Sequence, residues 1–399
     1  MIRINMSTSL KYFERLREEL DSLGKILFNT NRKLLEIIFF STQAQYIAYY
    51  EGLLDELVET HKKTIVYLTS DESDLSLRKK MEQIVPCYSK SFLPLILPAI
   101  DSSVLVTTIP DLNQYKVKRS FFGTNYVYMF HSLVSTHMMY RKGAFDFYDT
   151  IFCAGPHHVA EIRRTEELYG LPPKALHEVG YYRLEKIYKQ HHDHTSNQDR
   201  KNSSEKMVLI APSWHESNIL NTCVEDLTRS FLAEGFQVVV RPHPMTIAKS
   251  PDILAGLKHR FKGDERFRVD VETSSETYLH QADMMICDWS GVALEYAFGT
   301  ERPVLFIDLP RKIYNPEYEK LGIEPLEAKI RDQIGKQISP GQAGNAGKIA
   351  RDFIDRADDY RQQIIACREA NIYNFGKSST IGAEIIMTIL KDEKKGRAS

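Results

Sequence analysis

Most of this chain repeats one unit. A short apolar run meets a small polar turn, and apolar positions then recur every three or four residues. The short runs read as strands and the recurrent spacing as helices. In the first half the runs are Thr64–Leu68, Ser103–Thr108, Asn125–Phe130 and Thr150–Ala154, with a further strand end at Val179–Tyr181. A helical pattern fills His157–Tyr169. The second half restarts with Met207–Ala211, Phe236–Val240, Phe267–Asp270, Met284–Cys287 and Pro303–Ile307. Strands alternating with helices predict α/β architecture with parallel, doubly wound sheets. No internal tandem repeat is visible.

Residues 1–62 are expected to form an N-terminal helical region. Within it, Leu34–Tyr50 reads as a core helix, and its aromatic content also suits a membrane surface or a partner. Residues 63–188 are read as a first Rossmann-like domain. Residues 189–206 form a polar linker whose His191, His192, Asp193 and His194 read as solvated rather than metal-binding. Residues 207–344 are read as a second, donor-binding Rossmann-like domain, and 345–399 as C-terminal helices broken over Asn371–Ser379. Two such domains on a linker are expected to face a cleft.

The stretch Met284–Phe298 carries the strongest local signal. Met284–Cys287 is long enough for one buried parallel strand. Asp288, Trp289, Ser290 and Gly291 interrupt it, and helical spacing follows from Val292. A strand feeding a helix through a small turn leaves backbone N–H groups at the helix start, where a phosphate is favoured. The plainer reading is that Asp288 or Ser290 caps the helix.

Composition narrows the classes. The chain has 399 residues, room for two domains, and a net charge of -1 that excludes a global nucleic-acid signature. Its five cysteines are scattered, an odd count that suits a reducing compartment and offers no zinc pattern. The charged first twenty residues do not read as a signal peptide, and no apolar run is long enough to span a bilayer. A cytoplasmic location is expected, with peripheral contact at the inner face of the cell membrane left open.

In parallel α/β sheets ligands collect at the carboxyl ends of strands. His131 stands at such an end and could exchange a proton with a hydroxyl or a phosphate oxygen, or be a core histidine. His137 is a second candidate, and Asp146 or Asp149 could orient either ring. Arg241, Pro242, His243 and Pro244 end another strand. The two prolines stiffen the backbone around His243, and Arg241 offers a fork for phosphate. Ser213, Trp214 and His215 follow a third strand, where Trp214 could cover a ring and His215 meet a phosphate. The chain lacks a Walker loop, a dinucleotide fingerprint and a zinc-protease helix pattern. Gly376–Ser379 resembles only the tail of a Walker pattern, with Asn371 where the leading glycine would stand.

Three features together resemble the CDP-glycerol glycerophosphotransferase family, the teichoic-acid primases and polymerases. They are His131 after its strand, Arg241–Pro244, and the Cys287–Gly291 turn followed by Glu295-Tyr296 and Arg302–Phe306. The resemblance is best over Tyr126–Asp308. It implies a GT-B fold and the transfer of an alditol phosphate, glycerol phosphate foremost, from a CDP-alditol donor. The acceptor would be a hydroxyl on a lipid-linked or polymeric molecule, and CMP would leave. The family's His-Gly-Thr motif matches His131-Ser132-Leu133, which implies that His131 is the catalytic base. Its Arg-x-His-Pro motif matches Arg241–Pro244, which places His243 on the donor phosphate. Its Asp-Tyr-Ser-Ser turn matches Asp288-Trp289-Ser290-Gly291, with one of two serine hydroxyls missing. Catalytic roles are therefore expected for His131 and His243. Substrate binding is expected for Arg241, Asp288, Ser290, Gly291, Ser213 and His215. No carboxylate cluster calls for a divalent ion, so neither metal nor cofactor is expected. Two alternatives remain open: a GT-B glycosyltransferase using a nucleotide sugar for capsule or surface polysaccharide, and a non-catalytic nucleotide- or polymer-binding scaffold.

Overall fold

The computed structural model of the chain describes residues 6–28, 34–74, 83–115, 117–196, 205–272 and 276–398. The chain divides into two compact units that do not follow chain order. Unit 1 takes the chain up to His131, then Tyr140–Tyr182, then everything from Tyr373 on. Unit 2 takes Ser132–Met139 and Arg183–Ile372.

Unit 1 is built on seven strands: β1 (Ile37–Ser41), β2 (Ile65–Thr69), β3 (Ile84–Tyr88), β4 (Val104–Thr107), β5 (Asn125–Met129), β6 (Thr150–Cys153) and β7 (Ala175–Glu178). They lie in the order β3-β2-β1-β4-β5-β6-β7, and every pairing is parallel. The helix expected at Leu34–Tyr50 is corrected here. Its first half is β1, wholly buried between β2 and β4. A central parallel strand is covered on both faces, so it reads as an unbroken apolar run rather than an alternation. The helix proper is Ile47–Asp55. Residues 1–62 are thus not an all-helical region.

The last helix, Ser378–Ala398, buries Ala383, Ile386 and Leu390 against Leu53, Leu54 and Leu57 in the unit 1 core. Each buried leucine or isoleucine there contributes roughly 1.5–3 kcal/mol on leaving water. That burial explains why the chain's end belongs to unit 1.

Unit 2 holds six parallel strands: β8 (Met207–Ala211), β9 (Gln237–Val240), β10 (Phe267–Val269), β11 (Met284–Cys287), β12 (Val304–Ile307) and β13 (Gly335–Ile338). Their order is β10-β9-β8-β11-β12-β13. The strand sequence runs outward from β8 to one side and from β11 to the other. The loops after β8 and β11 therefore flank the switch point where ligands bind in open α/β sheets.

The linker expected over 189–206 is also corrected. The helix Tyr182–Ser196 runs into that range. Leu184, Ile187 and His191 recur at helical spacing on its buried side. The His191 ring stacks on that of His280, 6.2 Å between centroids. Residues 197–204 lie outside the described residues. Within the described residues no helix is long and apolar enough to cross a membrane.

Candidate active site

The turn after β11 is held by its own acid. Asp288 is 1% exposed. Its carboxylate accepts the N–H groups of Ser213 at 2.8 Å, Ile219 at 3.1 Å and Trp289 at 2.6 Å. Those bonds tie the loop after β8 to the turn after β11, across the switch point. Asp288 thus spends its lone pairs on the fold, and Ser213 is its partner. The Ser213 carbonyl accepts from the Asn218 amide. His215 accepts from the N–H of Ser217 through Nδ1.

No side chain caps the helix Val292–Thr300 that follows. The capping role weighed for Asp288 or Ser290 is not what the structure shows. Ser290 and Gly291 are half-buried at the helix start. The turn is backed by Arg331, 2% exposed, whose guanidinium lies 3.5 Å from the Trp289 ring centroid. Arg331 Nη2 donates to the Asp288 carbonyl at 2.7 Å. A buried cation beneath a helix N-terminus adds to its attraction for an anion.

At the end of β9, Arg241 Nε donates to Asp270 at 2.8 Å, which fixes the guanidinium. His243 precedes the short helix Pro244–Lys249, and its Nδ1 accepts the N–H of Met245 at 3.1 Å. The proton of the neutral ring therefore sits on Nε2, a donor. Burial, with the Lys312 ammonium nearby, pushes the His243 pKa down to about 4. Burial also lowers the pKa of Lys312, against the pull of Asp288 and Cys287. Lys312 was visible only as part of a basic pair after β12, and sequence gave no reason to place it beside His243. Trp214 carries the Lys249 ammonium over its ring at 5.2 Å.

In unit 1, His131 is half-buried with its ring among those of Tyr46, Tyr49 and Tyr140, at centroid distances of 5.5, 6.1 and 6.0 Å. Its Nδ1 lies 3.0 Å from the Thr108 carbonyl oxygen. A carbonyl only accepts, so Nδ1 carries the proton and Nε2 keeps a bare lone pair. Burial pushes this pKa down to about 4, with the Thr108 carbonyl opposing. A neighbouring hydroxyl holds the Thr108 backbone through its N–H. The Thr108 N–H donates to the Tyr50 hydroxyl at 2.7 Å, and Tyr50 donates to the Phe40 carbonyl at 3.1 Å. Asp149 is engaged by Arg119 and the N–H of Tyr126. The orienting group for His131 is thus a backbone carbonyl rather than Asp146 or Asp149. His137 belongs to unit 2, where its Nε2 meets the Ile323 carbonyl at 3.0 Å. Among the described residues no three His, Cys, Asp or Glu side chains come together as a metal-holding group.

Two parallel α/β units with polar turns at their strand ends define the GT-B class. The solved structures bear this out. The wall teichoic acid polymerase TagF, as a histidine-to-alanine variant, superposes with a TM-score of 0.62 at 12% identity, over 96% of this chain and 98% of that one. A TagF variant soaked with CDPG gives 0.61 at 13% identity, over 98% and 99%. The UDP-GlcNAc 2-epimerase of Neisseria meningitidis, bound to UDP-GlcNAc, gives 0.57 at 12% identity, over 88% and 99%. No curated protein matches in sequence. The family model for CDP-glycerol:poly(glycerophosphate) glycerophosphotransferase matches residues 27–330. The chain belongs to that family and is a glycerophosphotransferase enzyme.

Proposed function

We propose that the protein moves glycerol phosphate from CDP-glycerol onto a hydroxyl of a lipid-linked or polymeric acceptor in teichoic-acid synthesis. The observation that carries this reading is the opposite protonation of two neutral histidines. His131 presents a lone pair at Nε2, as a base for a hydroxyl must. His243 presents an N–H at Nε2, as a partner for a phosphoryl oxygen must. The family supports CDP-glycerol as donor, and so does the CDPG soak of the TagF variant.

In the proposed step the acceptor oxygen attacks the phosphorus that carries glycerol. A new P–O bond forms, and the bond from that phosphorus to the oxygen shared with CMP breaks. CMP leaves with that oxygen, and the acceptor proton passes to His131 Nε2. His243, Lys312 and the amides at the start of Val292–Thr300 offset charge on the phosphoryl oxygens. Arg241, Ser290, Gly291, Ser213 and His215 belong to the donor-binding side of this reading, with Asp288 holding the turn. Exposed Phe13, Leu20, Leu95 and Phe121 on unit 1 suit an acceptor anchored at a membrane surface.

The test is CMP release by the purified chain with a lipid-linked acceptor extract. CDP-glycerol, CDP-ribitol and nucleotide sugars are supplied in parallel. Release from CDP-glycerol that is lost in His243→Ala supports the reading. Turnover of a nucleotide sugar alone overturns it.

A further inference from the structure

Gly291 is a glycine for a reason that its backbone does not supply. Its φ of -61° and ψ of -20° are open to every L-residue. The reason is a neighbour. A Cβ on Gly291 would lie 2.5 Å from the Ser132 Oγ and 3.1 Å from a Val134 methyl. Both residues belong to the same unit as the turn. The place of a Gly291 side chain is therefore already filled, by the hydroxyl of the residue that follows His131 in the chain.

The turn itself offers one hydroxyl, that of Ser290, and Gly291 adds none, while Ser132 brings another against it. A hydroxyl is absent from one wall of the turn and present on the facing one. We propose that Ser132 supplies the second hydroxyl of the donor-phosphate site, and that Ser132 and Gly291 form one coupled specificity element. The proposal rests on the phosphate-binding reading of the turn given above.

The surroundings fit this role. Among the described residues no hydrogen-bond partner holds the Ser132 hydroxyl, and it stands half-buried beside a helix N-terminus with no side-chain cap. Its loop is fastened tightly. The N–H and hydroxyl of Ser135 both donate to Glu327, at 2.8 and 2.7 Å. The Asn315 amide donates to the His137 carbonyl at 2.9 Å, and Met138 packs with Trp289 and Tyr318. A rigid frame aims a short side chain far better than a free loop would.

The test is a double-substitution cycle in the full chain, read by calorimetric binding of CDP-glycerol, with a melting curve for each variant. Ser132→Ala is expected to bind about tenfold more weakly with its melting temperature unchanged, the effect of one lost hydrogen bond to a charged group. Gly291→Ser is expected to bind at least tenfold more weakly, because its new side chain displaces Ser132. Combining Ser132→Gly with Gly291→Ser should restore binding to within roughly threefold of the parent, since the two sites share one space. Ser132→Ala binding like the parent would overturn the proposal. So would a double variant no better than Gly291→Ser alone. If the parent binds a nucleotide sugar instead of CDP-glycerol, the donor assignment falls. The same cycle run with that nucleotide then decides the Ser132 question by the same outcomes.

Discussion

In the proposed step the two histidines meet opposite demands with the same ring. His131 sits in an aromatic wall in unit 1, and His243 in a turn in unit 2 with the Met245 amide on its ring and the Lys312 ammonium nearby. Both are kept neutral by burial, each with a pKa near 4. What separates them is the group that meets Nδ1: a carbonyl for His131 and an amide N–H for His243. One main-chain neighbour thus sets whether Nε2 takes a proton or offers one. The lesson is that residue type names a possible chemistry, while the partner on the far side of the ring selects it.

The sharpest way to break the comparison is to delete each ring in turn. His131→Ala should lower kcat by about a thousandfold, within the range of a lost general base, and leave the dissociation constant of CDP-glycerol near the parent's. His243→Ala should cost roughly a hundredfold and weaken donor binding as well, as for a lost phosphoryl-oxygen donor. Steady-state kinetics with calorimetric binding separate the two. An equal loss of donor affinity in both variants would erase the distinction.

The clamp beneath the Asp288–Gly291 turn comes next. Asp288→Ala strands three backbone amides that the carboxylate now satisfies. It should destabilise the protein by about 3 kcal/mol, measured by urea unfolding. An unchanged midpoint would mean that those bonds contribute nothing net.

A smaller effect is expected on the unit 1 side. Tyr50→Phe keeps the ring but removes the hydroxyl that holds Thr108, and with it the carbonyl that orients His131. It should slow kcat on the order of tenfold, short of the hundredfold that an ångström of misplacement can cost. KM for the donor should not change. Nitrogen NMR of labelled histidines should show the His131 ring losing its single tautomer. A purely structural Tyr50 would leave that signal as it is.

The mildest probe is pH. In the proposed step both rings act neutral, so kcat/KM should fall only as acid protonates them. With folded pKa values near 4 against the usual 6.5, the acid limb should lie well below pH 6.5. The same depression makes the unfolded chain bind more protons than the folded one between those values. Stability from the two rings is therefore full above about pH 6.5 and is lost as pH falls toward 4. A kinetic limb at 6.5 or higher would show that neither ring is shielded as described.

Much of this was legible in the chain, and the failures are instructive. The runs at β4, β5, β8, β9, β11 and β12 were readable because a parallel strand is an unbroken apolar stretch between polar turns. Leu34–Tyr50 misled because β1 is the same kind of run, placed directly before helical spacing. The polar stretch after Tyr188 misled because Leu184, Ile187 and His191 form one buried stripe on an otherwise solvated helix.

The sequence by itself determined the alternation of strands and helices. It also put His131, His243 and the Asp288–Gly291 turn at carboxyl strand ends. Such features depend on neighbours a few positions away, and local pattern records them. Only the tertiary structure decided which nitrogen of each histidine bears the proton, and that Asp288 serves the fold. It alone placed Lys312 beside His243 and the Ser132 hydroxyl in the space Gly291 leaves open. The His243 ring is set by an amide only two positions on, but the other outcomes join distant residues, 23 positions apart for Thr108 and His131 and 75 apart for Ser213 and Asp288. Contacts across such separations form only when packed strands bring their ends together, and no local periodicity encodes them.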